Sequence, residues 1–130
     1  MIFVCIAGCY LHLLPVPFQK PDNWYFELYF MIYITQLIYK RKGKKKVFEQ
    51  FEKAVLPLIQ RHGGELLFRC APASRSIRSA SIEKPDEIQL IRFDSEEQFR
   101  AYVDDEDRKK LLALKQDSVR TQILIKGEPI

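Results

Sequence analysis

Between Met31 and Lys126 the hydrophobic pattern alternates between a period of two and a period near 3.6, and the order of that alternation leaves few folds open. Met31 to Tyr39 (MIYITQLIY) is rich in β-branched and aromatic residues and apolar on both alternating faces, which suits a strand covered on two sides. A basic turn around Gly43 follows. Val47, Phe48, Phe51, Ala54, Val55, Leu58 and Ile59 then recur at helical spacing, with Glu49, Gln50, Glu52 and Lys53 outside that stripe. Pro57 lacks a backbone donor, so a kink or a shortened last turn is expected there. Gly63 and Gly64 supply the left-handed backbone that ends helices at little cost.

Glu65 to Cys70 (ELLFRC) and Glu87 to Phe93 (EIQLIRF) read as the second and third strands. The segment between them carries Pro72, Arg75, Arg78, Pro85 and four serines, and is long for a hairpin; mobility is the plain reading of such a loop. Ser95 to Gln98 forms a capping box in which the serine and glutamine can each satisfy a free backbone N–H of the other. Phe99, Tyr102 and Val103 give the second helix its apolar face. Asp104 and Asp105 offer a second cap, and Leu111, Leu112 and Leu114 continue in a further helical piece. Val119 to Lys126 (VRTQILIK) is the last strand. The order is βαββαβ, so the expected class is α+β with a ferredoxin-like topology. Helices then cover one sheet face only. Strands this apolar need the other face buried too, and a homodimer closing an α+β barrel does so with one self-complementary surface.

Composition agrees with a single folded domain: 130 residues, 47% hydrophobic and 29% charged. The net charge of +4 is concentrated in the run Lys40 to Lys46, in which Gly43 is the one uncharged member. A solvated turn explains that run better than a phosphate-binding surface, since no nucleic-acid reading motif accompanies it; nucleic acid is not an expected partner. Cys5, Cys9 and Cys70 match neither a disulfide framework nor a zinc site, which makes a reducing cytoplasm the simplest setting. Cys5, Cys9 and His12 lack a fourth ligand, and no metal is expected. No glycine-rich phosphate loop or dinucleotide fingerprint occurs, so no cofactor is expected either.

Several stretches together resemble a known group. These are a first strand starting at a methionine, His62-Gly63-Gly64-Glu65-Leu66-Leu67, Ile91-Arg92-Phe93-Asp94-Ser95-Glu96-Glu97, and Ile123-Leu124-Ile125-Lys126-Gly127. They are similar to the dimeric α+β-barrel proteins, and within these to the domain-of-unknown-function family numbered 1330. The resemblance covers 31 to 130 and none of 1 to 30. It implies the fold and not an activity, because that superfamily includes cofactor-free monooxygenases, isomerases, haem enzymes and ligand-binding regulatory domains. The turn after strand one is more basic, and the loop after strand two longer, than the group's usual pattern.

Candidate chemistry is sparse. His62 is the histidine of the domain and the first acid–base candidate, with Arg92 beside it as the other catalytic candidate; complementing a helix dipole is the plainer role for His62. Arg69, Arg92 and Arg120 interrupt three strands, as do Gln36 and Gln122. Polar groups in a sheet covered on both sides either line a pocket or belong to satisfied networks. If the arginines converge they suit a carboxylate or enolate. Tyr33 and Tyr102 could line the same space, so the candidate ligand-binding set is Tyr33, Gln36, Arg69, Arg92, Tyr102 and Arg120. Cys70 reads as a small buried hydrophobe. Two functions follow: binding or converting a small apolar carbonyl or phenolic molecule without a cofactor, or a non-catalytic dimer acting as a ligand sensor or interaction module.

The first thirty residues do not fit the domain. Met1 to Pro17 lacks the basic start of a secretory signal, and Pro15, Pro17, Gln19, Lys20, Pro21 and Asp22 interrupt the apolar run before the roughly 20 residues a membrane span needs. No membrane partner is expected. The preferred expectation is that 1 to 30 is a non-domain extension translated from upstream and that Met31 is the natural start. The rival is a real appendage packing Trp24, Tyr25, Phe26, Tyr29 and Phe30 on the domain or a second subunit. Mass spectrometry of the native protein should find Met31 at or next to the N-terminus; a native peptide from before Met31 contradicts that start.

Overall fold

The computed structural model describes residues 31–128. The readings made for 1 to 30, including the cysteine and His12 set, lie outside the described residues. Four strands, β1 (Ile32–Lys40), β2 (Gly64–Cys70), β3 (Glu87–Phe93) and β4 (Val119–Gly127), form one sheet in the order β2-β3-β1-β4, each neighbour antiparallel. The helices are α1 (Lys45–Arg61), α2 (Glu96–Asp104), α3 (Glu106–Lys110) and α4 (Leu112–Ser118). This is the ferredoxin-like α+β arrangement. No helix among the described residues is long and apolar enough to cross a membrane.

β1 sits inside the sheet, paired to β3 and to β4. Ile32, Ile34, Gln36 and Ile38 face the helices, in register with Phe93, Ile91, Gln89 and Glu87 of β3. The core on that side falls into two clusters, one around Ile32, Ile34, Ile59, Ile91 and Phe93, the other around Ile38, Phe48, Phe51 and Val55. Between them the helix-facing row of the sheet turns polar, at Gln36, Gln89 and Glu87. The opposite face carries Leu37, Ile88, Leu90, Phe68, Ile123 and Ile125, and no helix among the described residues covers it. Phe68 and Ile125 are 47% and 53% exposed.

Three local readings need correcting. Helix α1 continues four residues past Pro57 to Arg61, because the proline lies on the exposed side, where the carbonyl it leaves unpaired can meet water. Glu52 is not outside the apolar stripe but 4% exposed within it, four residues after Phe48 and three before Val55. The capping box is only half formed. Ser95 Oγ accepts from the Gln98 backbone N–H at 3.2 Å, but the Gln98 side-chain oxygen is buried without a hydrogen-bond partner, its amide being packed over Gly63. The β2–β3 loop is tied at its return end: Tyr39 Oη donates to the Glu83 carbonyl at 2.8 Å, and Asp86 exchanges bonds with Ile38 and Lys40 of β1.

Gly64 is the tightest point. A methyl group there would stand 2.5 Å from Ile59 Cγ2 and 2.6 Å from the Phe93 ring, so the α1–β3 contact depends on its absence. Gly64→Ala should lose about 1–3 kcal/mol in urea unfolding through overpacking. Gly43→Ala, where φ is +77° and no neighbour lies within 4 Å, should lose about 1 kcal/mol from backbone conformation alone.

Candidate functional site

The polar row opens onto a cavity of about 90 Å³ between sheet and helices. Its inner end is formed by the sheet residues Ile34, Gln36, Gln89 and Ile91 with Glu52 and Val55 of α1. Tyr102 and Val103 of α2, Arg108, and Lys115 of α4 line the side toward Val119, Gln122 and Leu124 of the edge strand β4. Leu124 is 51% exposed, so the cavity meets solvent beside β4.

Two carboxyl groups stand at the inner end in opposite circumstances. Glu87 on β3 receives Lys40 Nζ at 2.9 Å, Arg69 through both Nε and Nη2, and Gln89 Nε2 at 2.7 Å. Burial works against its charged form, but the bonds from Arg69, Gln89 and Lys40 outweigh burial and hold its pKa below the ordinary value. Glu52 has a single donor, the same Gln89 amide, at 3.0 Å. Burial dominates there and pushes its pKa up, with Arg69 opposing. A neutral amide thus links a firmly ionised carboxylate to one that holds its proton more tightly, and it is the second that lines the cavity. Pairs separated in this way by their surroundings are suited to proton transfer.

Of the residues singled out from sequence, Gln36 and Tyr102 line the cavity. Gln36 Oε1 accepts from Gln122 Nε2, and burial pushes the Tyr102 phenol up. Arg69 lies behind Glu87 and also reaches Glu49 at 3.3 Å. Arg92 and Tyr33 face each other on the uncovered side of the sheet, where Arg92 binds Glu65 at 3.0 Å. Arg120 lies over the Tyr39 ring and pairs with Glu83 at 2.7 Å. The three strand arginines therefore do not meet. His62 ends α1, and its Nε2 lies 2.6 Å from Asp105 Oδ2. Asp105 also caps α3 by accepting from the backbone of Asp107 and Arg108; the His62 bond above all brings its pKa down to about 2. That cluster fastens α1 to the α2–α3 junction and is not part of the cavity lining.

Sequence reasoning missed Glu52, Gln89, Arg108 and Lys115. Glu52 was detectable from its i+4 relation to Phe48, and Gln89 from its strand phase with Ile91 and Phe93. The two cations had no comparable signal.

A family model described as "Domain of unknown function (DUF1330)" matches residues 36–127. The chain belongs to the DUF1330 family. None of the curated proteins matches it significantly. Among solved structures, a protein of unknown function from Rhodopseudomonas palustris is similar with a TM-score of 0.70 and 16% identity, over 78% of this chain and 84% of that one. A dimeric ferredoxin-like protein of unknown function from Thermobifida fusca gives 0.57 and 19%, over 77% and 92%. A candidate antibiotic biosynthesis monooxygenase from Caulobacter crescentus gives 0.58 and 10%, over 82% and 95%. At such identities the likeness is one of fold.

The carboxyl pair gives opposite pH behaviour. Stability from the lowered pKa of Glu87 is present above the ordinary value of 4.5 and is lost as pH falls through the lowered one. Stability from the raised pKa of Glu52 is complete below 4.5 and is withdrawn as pH rises through the raised value. Glu87→Gln should therefore lose about 3 kcal/mol at neutral pH, leaving Lys40 and Arg69 unpaired, with the gap from wild type closing below pH 4.5. Glu52→Gln should lose less than about 1 kcal/mol at acidic pH and gain on wild type as pH rises. Urea titrations of the three proteins across pH check both signs.

Proposed function

We propose that this DUF1330 domain is a homodimer that takes a small apolar carbonyl or phenolic molecule into the cavity between sheet and helices, without a cofactor. The observation that carries this reading is the buried Glu52, 4% exposed, facing a cavity walled by Ile34, Val55, Ile91 and Phe93, beside the amides of Gln36, Gln89 and Gln122. The amides can hydrogen-bond one oxygen of a ligand, and Glu52, whose pKa burial pushes up, can give or take a proton there. Size bounds the ligand: an apolar cavity of about 150 Å³ holds a benzene molecule, so this smaller one, of about 90 Å³, encloses a short chain and takes a ring only where part of it stays in the open mouth.

Dimerisation is supported by the uncovered sheet face, where Phe68, Ile123 and Ile125 remain exposed as a connected apolar surface, larger single patches of which usually mark an interface. The similar Thermobifida fusca protein is described as dimeric. A second copy buries this face without disturbing the helix-side cavity. An interaction module without a pocket gives no role to Glu52, whose burial with one donor costs stability.

Methyl NMR of the full chain titrated with phenol and with 2-pentanone should show saturable shifts at Ile34, Ile38, Val55 and Ile91, and Val55→Phe should abolish them by filling the space. Shifts confined to Leu37, Ile88 and Ile123 would place any binding on the wrong face and remove the reading. In sedimentation, wild type should run as a dimer and Ile125→Glu as a monomer; a wild-type monomer would remove the dimer.

A further inference from the structure

Helices α3 and α4 carry four basic residues, and the pattern of their partners is the reverse of what exposure alone would produce. Lys109 and Lys110 are exposed, yet they pair with Glu106 at 3.0 Å and Asp107 at 3.4 Å. Lys126 of the neighbouring strand, also exposed, pairs with Glu96. Arg108 and Lys115 are half-buried and line the cavity, where a charge is harder to solvate, and neither has a carboxylate within 4 Å among the described residues. Arg108 donates to the Val103 carbonyl, at 3.0 Å, and otherwise meets Tyr102, resting over its ring with the guanidinium carbon 5.0 Å from the centroid and within reach of its phenol. The Lys115 ammonium has no hydrogen-bond or ion-pair partner among the described residues, its backbone alone being bonded, to Leu111 and Ser118.

The two cations are close enough to affect each other. Burial first, and then Arg108, push the Lys115 pKa down, while Glu52 acts in the other direction. Glu52 offsets this only in part: it stands more than 4 Å from both cations, its bond is to Gln89, and burial pushes its own pKa up. The result is a cavity with two positive groups on its half-exposed side, neither with a carboxylate within 4 Å, and buried Ile34, Val55, Ile91, Phe93 and Glu52 on the other. Half-buried cations without partners are uncommon because desolvation without pairing is unfavourable. An anion placed between them would remove that penalty with charge-assisted hydrogen bonds.

We infer that the mouth of the cavity is an anion site, and that the ligand is a short apolar monocarboxylate whose carboxylate lies between Arg108 and Lys115 while its chain points inward. This rests on the small-molecule reading above and names the ligand class for the same site. A carboxylate fits the fork of Arg108 and the single charge of Lys115 near solvent. The remaining volume encloses only a short chain, which would bring the ligand's far end toward Glu52 and Gln36.

Butyrate and 2-pentanone test the inference, being nearly the same shape and differing in charge. In methyl NMR titrations of the full chain, butyrate should bind at least tenfold more tightly than 2-pentanone, with shifts at Ile34, Val55 and Ile91. Lys115→Met and Arg108→Gln should each reduce that preference to less than threefold while 2-pentanone still binds. Both changes lie at the mouth, and unchanged β1 and β3 resonances would show that the sheet is intact. Equal or weaker binding of butyrate, or a preference that survives both substitutions, overturns the anion site and leaves the small-molecule cavity standing. If neither compound shifts the cavity methyls, the cavity reading fails and the anion site with it.

Discussion

The carboxylate of Glu87 is the point through which most of the structure is joined. It stands on β3, accepts from Lys40 of β1 and Arg69 of β2, and reaches Glu52 of α1 through the Gln89 amide. Three adjacent strands and the longest helix thus meet at one anion. Such a group is unfavourable in a core unless its lone pairs are filled, and here they are. The arrangement fixes the register of β2 on β3 at the place where a bulge between Leu66 and Phe68 would otherwise leave it free to slip. Through Gln89, which it holds on the cavity wall, it also places a polar group between the two apolar clusters.

The ferredoxin-like order was legible because it depends on periodicity, which is local, and on turn residues such as Gly63 and Gly64 whose backbone demands are local too. What could not be read was the interior of the polar row. Arg69, Arg92 and Arg120 look equivalent as interruptions of strands, but strand phase and two bulges send them to three places, toward Glu87, toward Glu65 and over Tyr39. Glu52 was placed with the charged face of its helix on residue type, when its spacing from Phe48 and Val55 puts it inside. Residue type and position disagreed, and position decided. Arg108 and Lys115 become members of one site only when α3 and α4 fold back across the sheet, a tertiary event with no trace in spacing.

A division of labour between the faces of the sheet follows. The helix side holds ionisable groups and space, in a core otherwise built from Ile, Val and Phe. The opposite side, with Leu37, Ile88, Leu90 and Ile125, has little polar chemistry beyond Arg92 with its partners Glu65 and Asp94. Belonging to the DUF1330 family describes the frame in which these faces are set; the residues on the helix side distinguish what this chain can do with it.

The place of β1 has a consequence for how the chain reaches its fold. Ile34 is paired on one side with Ile91 and on the other with Lys126, and both partners lie far along the chain. Pairings of this separation close large loops before they return any stabilisation, and they slow folding. During synthesis the apolar β1 emerges well before β3, and before β4 by a greater interval, so it stays unpaired on its β4 side until nearly the whole domain has been made. The strand around which the sheet is built is the first to emerge and the last to be enclosed. The lysines that directly follow it, by keeping the nascent segment charged, help it stay soluble during that wait.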